Sequence, residues 1–388
     1  MIGPMEPVTP RDPVPVAIGP VPARGGPPDR PSARPERTRA TGSSRAPTAR
    51  LRGDGLVDPW GRAATDLRVS LTDRCNLRCT YCMPAEGLPW APDESVLTDA
   101  EVARLVRVAV ERLGVREVRF TGGEPLLRRG LEGIVAATAA LRTPDGAPVT
   151  TALTTNALGL DKRARALAAA GLGRVNVSLD SLQPARFAAI TRRDRLADVL
   201  AGLRAARDAG LGPVKVNTVL VRGVNDDEAV PLLAWALEHG YHLRFIEQMP
   251  LGPAGSWDRG DLVTAGEILD ALTAVFDLVP EPVDARGGAP AETWTVRGRP
   301  GATVGVIGSV TRPFCGACDR TRLTADGQVR SCLFAREERD LRGLLRGGAD
   351  DDAVADAWRA AMWGKKPGHG IDDVGFLQPA RTMSAIGG

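Results

Sequence analysis

From Leu67 to about residue 247, short runs rich in apolar and β-branched residues alternate with longer stretches in which apolar residues recur every three or four positions. The strand-like runs are 67–71, 115–120, 149–154, 174–179, 214–221 and 242–247. The first helical stretch is the clearest. Thr98 and Glu101 have the spacing of a capping box, Leu97 and Val102 that of a hydrophobic staple, and Val102, Leu105, Val106, Ala109 and Leu113 form one face before Gly114. Comparable helices are expected near 129–141, 160–170, 195–209, 227–239 and 264–275. Repeated strand–helix units imply a parallel sheet. Six of them predict an incomplete (βα)6 TIM-like barrel, with its chemistry where the strands end.

The pattern changes after residue 276. Short strands at 293–296 and 303–307, a hairpin turning at Ala325-Asp-Gly-Gln328, and helices near 337–346 and 350–363 predict an α+β extension over 277–388. Residues 1–55 differ from both parts. Their first fifty positions hold 12 of the 31 prolines and almost no apolar periodicity, which predicts a disordered Pro/Arg-rich arm. The division expected is thus an arm over 1–55, a partial barrel over 56–276 and the extension over 277–388.

A net charge of +3 over 388 residues gives no reason to expect nucleic-acid or membrane binding, and no apolar run is long enough for a membrane helix. Among the fifty basic residues only Lys162, Lys215, Lys365 and Lys366 are lysines, so a single arginine is unremarkable here and a lysine is not. The six cysteines fall into two groups of three. With no export signal, thiols grouped in this way predict a reducing, cytoplasmic compartment.

Cys75, Cys79 and Cys82 are spaced C-x-x-x-C-x-x-C in one loop. Thiolates usually bind iron–sulfur clusters four at a time, so three would leave one iron of a [4Fe-4S] cluster free to hold a small molecule. A structural zinc site is the plainer alternative, although zinc needs a fourth ligand. Cys315, Cys318 and Cys332 form a C-x-x-C pair with a distant third member, a layout that suits zinc as well as a second cluster. His239, His242 and His369 are the only histidines, and packing or surface roles are expected for them. Gly122-Gly123 in Thr121-Gly-Gly-Glu-Pro125 suits either a tight turn or close approach to a ligand. Arg320 and Arg322 would share one face of a strand, as a phosphate-binding pair would. The final Gly-Gly reads as a frayed end, a ubiquitin-like tail or a catalytic finger.

The cysteine loop with Tyr81 before its last thiol, and the Gly-Gly-Glu-Pro segment, resemble the signature of radical S-adenosylmethionine enzymes. Further segments make the resemblance narrower. They include Leu67-Arg-Val-Ser-Leu-Thr-Asp-Arg-Cys75, Val175-Asn-Val-Ser-Leu-Asp180, Phe245-Ile-Glu-Gln-Met-Pro250, Cys315-Gly-x-Cys318-x-Arg320-x-Arg322, Gly368-His-Gly-Ile371 and Met383-Ser-x-Ile-Gly-Gly388. In this order they resemble the GTP 3',8-cyclase family, which begins molybdenum cofactor biosynthesis. The resemblance implies two [4Fe-4S] clusters, one on Cys75, Cys79 and Cys82 and one on Cys315, Cys318 and Cys332. It implies S-adenosylmethionine contacts from Tyr81, Gly123, Ser178 and Met249, and GTP contacts from Arg68, Arg119, Thr154, Lys215, Arg320 and Arg322. Arg320, Arg322, Gly387 and Gly388 would be catalytic, the last two as a finger reaching into the site. A downstream cyclic pyranopterin-forming enzyme is the implied partner and a homodimer the implied assembly, with the electron donor left open. Asp319, Ala157 and Leu77 depart from the family pattern, and Asp319 adds a negative charge beside Cys318. A peptide-modifying radical enzyme and a zinc-stabilised binding module are the alternative readings.

Overall fold

A computed structural model describes residues 55–387 other than Ala254. The arm, apart from Gly55, and the terminal Gly388 therefore lie outside the described residues. The strands of the barrel are β1 (Asp66–Ser70), β2 (Glu117–Thr121), β3 (Thr150–Thr155), β4 (Arg174–Ser178), β5 (Lys215–Val219) and β6 (His242–Ile246), each within a residue or two of expectation. Helix α1 (Asp99–Glu111) starts with the reciprocal Thr98–Glu101 capping box, a device worth about 1 kcal/mol. The helices α2 (Leu131–Ala139), α3 (Leu160–Ala169), α5 (Leu196–Asp208), α6 (Ala229–His239) and α7 (Ala265–Thr273) follow the expected periodicity. The sequence pattern did not announce α4 (Pro184–Thr191).

The second half extends the sheet at both of its edges. After β7 (Leu278–Pro280), the short helix α8 (Val283–Arg286), β8 (Glu292–Val296) and β9 (Thr303–Ile307), the chain reaches β10 (Arg320–Leu323), β11 (Gln328–Arg330) and β12 (Arg339–Asp340). Strand β9 pairs in parallel with β6, and β10 pairs in parallel with β1. Eight parallel strands thus lie inside a 12-stranded sheet of order β12-β11-β10-β1-β2-β3-β4-β5-β6-β9-β8-β7, and its outer strands are antiparallel. The C-terminal residues therefore continue the barrel wall. Helices α9 (Leu341–Arg346), α10 (Asp351–Trp363) and α11 (Met383–Ile386) complete the chain.

Side chains alternate in direction along a strand, and this alternation separates the core from the site. Leu67, Val69, Val118, Phe120, Leu153, Val175, Val177, Val216, Leu243, Phe245, Val304 and Val306 are buried in one cluster with the helices, each adding roughly 1.5–3 kcal/mol of apolar burial. The residues between them point to the other face, and apart from Gly305 they are polar. Closed (βα)8 barrels fill that face with layers of branched apolar side chains. Here it is lined with cations.

Candidate active site

The register of the strands sets Arg322, Arg68 and Arg119 side by side at one level of the sheet, with Arg320, Asp66 and Glu117 one level nearer the strand starts. Asn176 and Lys215 are neighbours on β4 and β5, and Asn217 and Arg244 are neighbours on β5 and β6. Arg68 pairs with Asp66 at 3.0 Å, Arg119 pairs with Glu117 at 2.6 Å, and Arg174 also reaches Glu117. Three carboxylates, Asp66, Glu117 and Asp319, face seven cations: Arg68, Arg119, Arg174, Lys215, Arg244, Arg320 and Arg322.

The surplus of positive charge is visible in the titration of these groups. Burial opposes ionisation of Asp66, but Arg68 and Arg119 outweigh it and hold the carboxyl at about 2. Burial together with the neighbouring guanidiniums pushes Arg119 down to about 10, and Arg244 and Arg322 each down to about 9. Burial, then Arg244 and Arg174, bring Lys215 down to about 8. A guanidinium stays charged at neutral pH even so, which leaves the interior under a positive potential that a bound polyanion would relieve. Hydrogen-bonding capacity is left over as well. Nε of Arg119, Arg244 and Arg320 and Oδ1 of Asn217 are buried without a hydrogen-bond partner, as expected of groups that await a ligand.

The first cysteine loop follows β1 and is held from two sides. Backbone N–H groups of Arg78 and Thr80 donate to the carbonyls of Thr191 and Ile190 at the end of α4, and Arg192 donates to the carbonyls of Arg78 and Met83. On the other side Gly122 and Gly123 press against the chain just before Cys75. A Cβ on Gly123 would lie 2.3 Å from the Arg74 carbonyl oxygen, and Gly122 adopts φ +146°. The two glycines thus let one backbone meet another, which places the cysteine loop. Glu124 is buried beside them and accepts from Leu126 N, Thr155 Oγ1 and Asn156 N. Burial raises its carboxyl to about 7. Asn156 in turn donates to Asn76 Oδ1 at 2.7 Å and lies 3.9 Å from Cys75 Sγ. Tyr81 donates to Asp180 at 2.7 Å.

All six cysteines are free. Cys79 feels the charges of both Cys82 and Cys75, and Cys315 feels those of Cys332 and Cys318, so each triad is a local group. Burial pushes Cys75 up to about 11, Cys82 up to about 12 and Cys79 well above the usual thiol range. Such thiols ionise when a metal replaces their protons. Among the described residues no three His, Cys, Asp or Glu side chains gather closely enough to hold a single ion. Tetrahedral zinc would need sulfurs about 3.8 Å apart, as its 2.3 Å bonds dictate. Three thiols offered by one loop are the donor set that a four-iron cluster with one open iron takes.

The C-terminal segment runs between the two triads. The backbone N–H of Ser384 donates toward the Cys82 thiol, and Ser70 Oγ donates to the Ile386 carbonyl at 2.9 Å. Arg322 donates to the Gly387 carbonyl and in turn feels the charge of Cys332. Gly387 fits because it has no Cβ: one would lie 2.1 Å from Ser70 Oγ. Four residues, 384–387, thus link the surroundings of both triads across the strand ends.

The structure brings Arg68, Arg119, Lys215, Arg320 and Arg322 to one surface, with Thr154 joined to it through Asn176 at 3.3 Å and Arg244 beyond. Tyr81 is in the first cysteine loop, Ser178 ends its strand β4, and Gly123 and Met249 follow the ends of β2 and β6. His239 and His242 are engaged by Trp235 O and Thr303 Oγ1. Asp319 takes up the expected place beside Cys318, and its charge opposes ionisation of that thiol. Arg174, Asn176, Asn217 and Arg244 escaped the sequence reading. Their signal was the i, i+2 spacing of polar residues within strands.

Comparisons with known proteins agree with this geometry. The family model described as the radical SAM superfamily matches residues 69–236, and the model for Molybdenum Cofactor Synthesis C matches residues 241–371. A GTP 3',8-cyclase of Mycobacterium sp. (strain KMS) is 66% identical over 334 residues, 86% of this chain and 93% of that protein. Those of Streptomyces coelicolor and Corynebacterium glutamicum (strain ATCC 13032) are 63% and 58% identical, over 86% and 91% of this chain and 96% and 97% of theirs. Among solved structures, Streptococcus suis SuiB bound to S-adenosylmethionine superposes with a TM-score of 0.51 at 14% identity, over 76% of this chain and 68% of that one, a likeness of fold.

Proposed function

The chain belongs to the GTP 3',8-cyclase family of radical S-adenosylmethionine enzymes, and we propose that its cationic barrel interior is the seat of the nucleotide. The reaction of the family is the cyclisation of GTP to (8S)-3',8-cyclo-7,8-dihydroguanosine 5'-triphosphate, the first step of molybdenum cofactor biosynthesis. One [4Fe-4S] cluster and S-adenosylmethionine belong to that chemistry. Cys75, Cys79 and Cys82 would hold this cluster, and Tyr81, Gly123, Ser178 and Met249 would contact the cofactor. When bound, cluster and cofactor supply a one-electron reductive cleavage that starts radical chemistry on the nucleotide. Cys315, Cys318 and Cys332 would hold a second cluster with an open iron toward the guanine base.

The rest is the work of this chain's own side chains. Lys215, Arg119, Arg174 and Arg244 would take the triphosphate, for which paired guanidiniums and an ammonium are suited. Arg68, Arg320 and Arg322 would lie nearer the base and ribose, beside the second triad. Glu117 and Asp66 keep these cations in place between turnovers. The C-terminal segment, held by Ser70 and Arg322, would close the cavity and exclude water, with Gly388 beyond the described residues as its tip. Removal of Gly387 and Gly388 is expected to abolish turnover.

The observation that carries this reading is the set of seven cations, with unpartnered Nε and Oδ1 atoms, on the inner face of the strands. Anaerobic incubation of the reconstituted protein with GTP, S-adenosylmethionine and a strong reductant, followed by mass analysis of the nucleotide, tests it. A product isomeric with GTP and separated from it by chromatography, with one 5'-deoxyadenosine formed per product, is the expected result. Unchanged GTP with cofactor cleavage intact would refute the substrate assignment.

A further inference from the structure

Lys365 follows α10 and is 4% exposed. Its ammonium donates to the carbonyls of Cys318 at 3.0 Å and Arg320 at 2.9 Å, and its third contact is Cys318 Sγ at 3.6 Å. No carboxylate among the described residues forms an ion pair with it. A buried ammonium without a counter-charge is costly, and two carbonyls satisfy only its hydrogen bonds. The negative charge nearest to it is the one Cys318 acquires on ionising. Asp319 does not fill this place. Its carboxylate is turned toward Gly288 and Arg320, 3.8 Å from the Arg320 Nε.

The position of Lys365 is built with care. The indole Nε1 of Trp60 donates to the Lys365 carbonyl at 3.1 Å, and Arg62 donates to the carbonyls of Lys366, Pro367 and Cys315. Arg62 is itself fixed by the buried Asp58 at 2.5 Å. The segment before β1 thus clasps the lysine segment and the cysteine loop together. The clasp needs only the backbone of Lys365, so it leaves the ammonium and its choice of partner unexplained.

We propose that Lys365 is the counter-ion of the second iron–sulfur cluster and sets its reduction potential above that of the first. The inference rests on the reading that Cys315, Cys318 and Cys332 hold a cluster. The sign follows from electrostatics. Reduction adds a negative charge to a cluster, and a cation hydrogen-bonded to a ligand sulfur in a buried place favours the more negative state. Neutral donors serve Cys75 in the first triad: Leu77 N at 3.5 Å and the Asn156 amide at 3.9 Å.

The test is a redox titration of the reconstituted full chain followed by electron paramagnetic resonance, with the signal of the first cluster as internal reference. In Lys365→Met the reduced-to-oxidised ratio of the second cluster at a fixed ambient potential should fall at least tenfold, which is 59 mV for one electron. The first signal should stay in place, and Lys365→Arg should restore most of the ratio. Should the Met variant fold but lose half of its iron, retention of that iron by the Arg variant would support the counter-ion role, and loss in both would refute it. An unchanged ratio in the Met variant, or an equal shift of both signals, overturns the proposal. A single cluster signal in the unaltered protein would instead refute the second-cluster assignment, and the inference with it.

Discussion

Two loops of this chain present the same donors, three thiols each, and differ in the charges beside one of them. Around Cys75, Cys79 and Cys82 the groups that matter are burial, neutral amides and the carboxylates of Glu124 and Asp180. Glu124 pushes the Cys75 thiol up by more than Arg78 pulls it down, and Asp180 acts on Cys79 in the same direction. Around Cys318 burial is outweighed by Arg320, Lys365 and the Arg320 backbone N–H, and the thiol falls below its ordinary value, whereas burial raises Cys315 as it raises the thiols of the first loop. The lesson is that spacing supplies the ligands, and neighbouring charge would assign the work of what they hold. A site that resists added negative charge gives up an electron readily. A site rich in cations suits the holding of an anionic nucleotide.

The largest expected effect separates the loops outright. Cys79→Ala should abolish both reductive cleavage of S-adenosylmethionine and conversion of GTP. Cys332→Ala should keep the cleavage and lose the conversion. Loss of both activities in Cys332→Ala, measured as 5'-deoxyadenosine and cyclised nucleotide in one anaerobic assay, would merge the two roles.

Much of this contrast could be read from the residues, but not its electrostatic half. The strands, the capping box at Thr98 and both triads followed from period and spacing, which are local properties. The placement of β10 beside β1 did not, because a pairing between residues 66 and 320 leaves no local mark. Nor did Arg174 and Arg244. In a chain whose cations are mostly arginines they matched the background, and only their alternation with Val175, Val177, Leu243 and Phe245 set them apart. Lys365 was noted as a scarce lysine, yet its burial against Cys318 depends on Trp60 and Arg62 some three hundred residues earlier.

Glycines sharpen the comparison next. The Cβ of Gly123→Ala would meet the Arg74 carbonyl oxygen, whereas a Cβ at Gly316 in the second loop meets nothing within 4 Å. Gly123→Ala should displace the first loop at a cost of about 1–3 kcal/mol and lose the iron of that cluster alone. Gly316→Ala should load fully. Iron and acid-labile sulfide per chain, with thermal melts of both variants, decide the matter.

A smaller effect is expected within the cationic wall. Arg244→Ala removes a guanidinium that touches Asn176 at 2.9 Å and has a free Nε. If it meets the triphosphate, KM for GTP should rise on the order of tenfold to a hundredfold, with S-adenosylmethionine cleavage in the absence of GTP unaltered. Equal losses in both would place Arg244 in the scaffold.

The mildest perturbation is pH, and it distinguishes the two halves without mutation. Lys215 has its pKa brought down to about 8 by burial and then by Arg244 and Arg174, so near neutral pH it is only just kept protonated. A triphosphate binds the ammonium in preference to the amine and draws the pKa back up. Binding of GTP should therefore weaken as pH rises through about 8, and Lys215→Met should bind weakly at every pH and lose that slope. The contacts assigned to S-adenosylmethionine include no lysine, so Lys215→Met should leave the pH dependence of its affinity as it was. Loss of a slope for both ligands in that variant, measured by anaerobic equilibrium dialysis, would mean that Lys215 serves the whole cavity, and the division between the two ends would not hold.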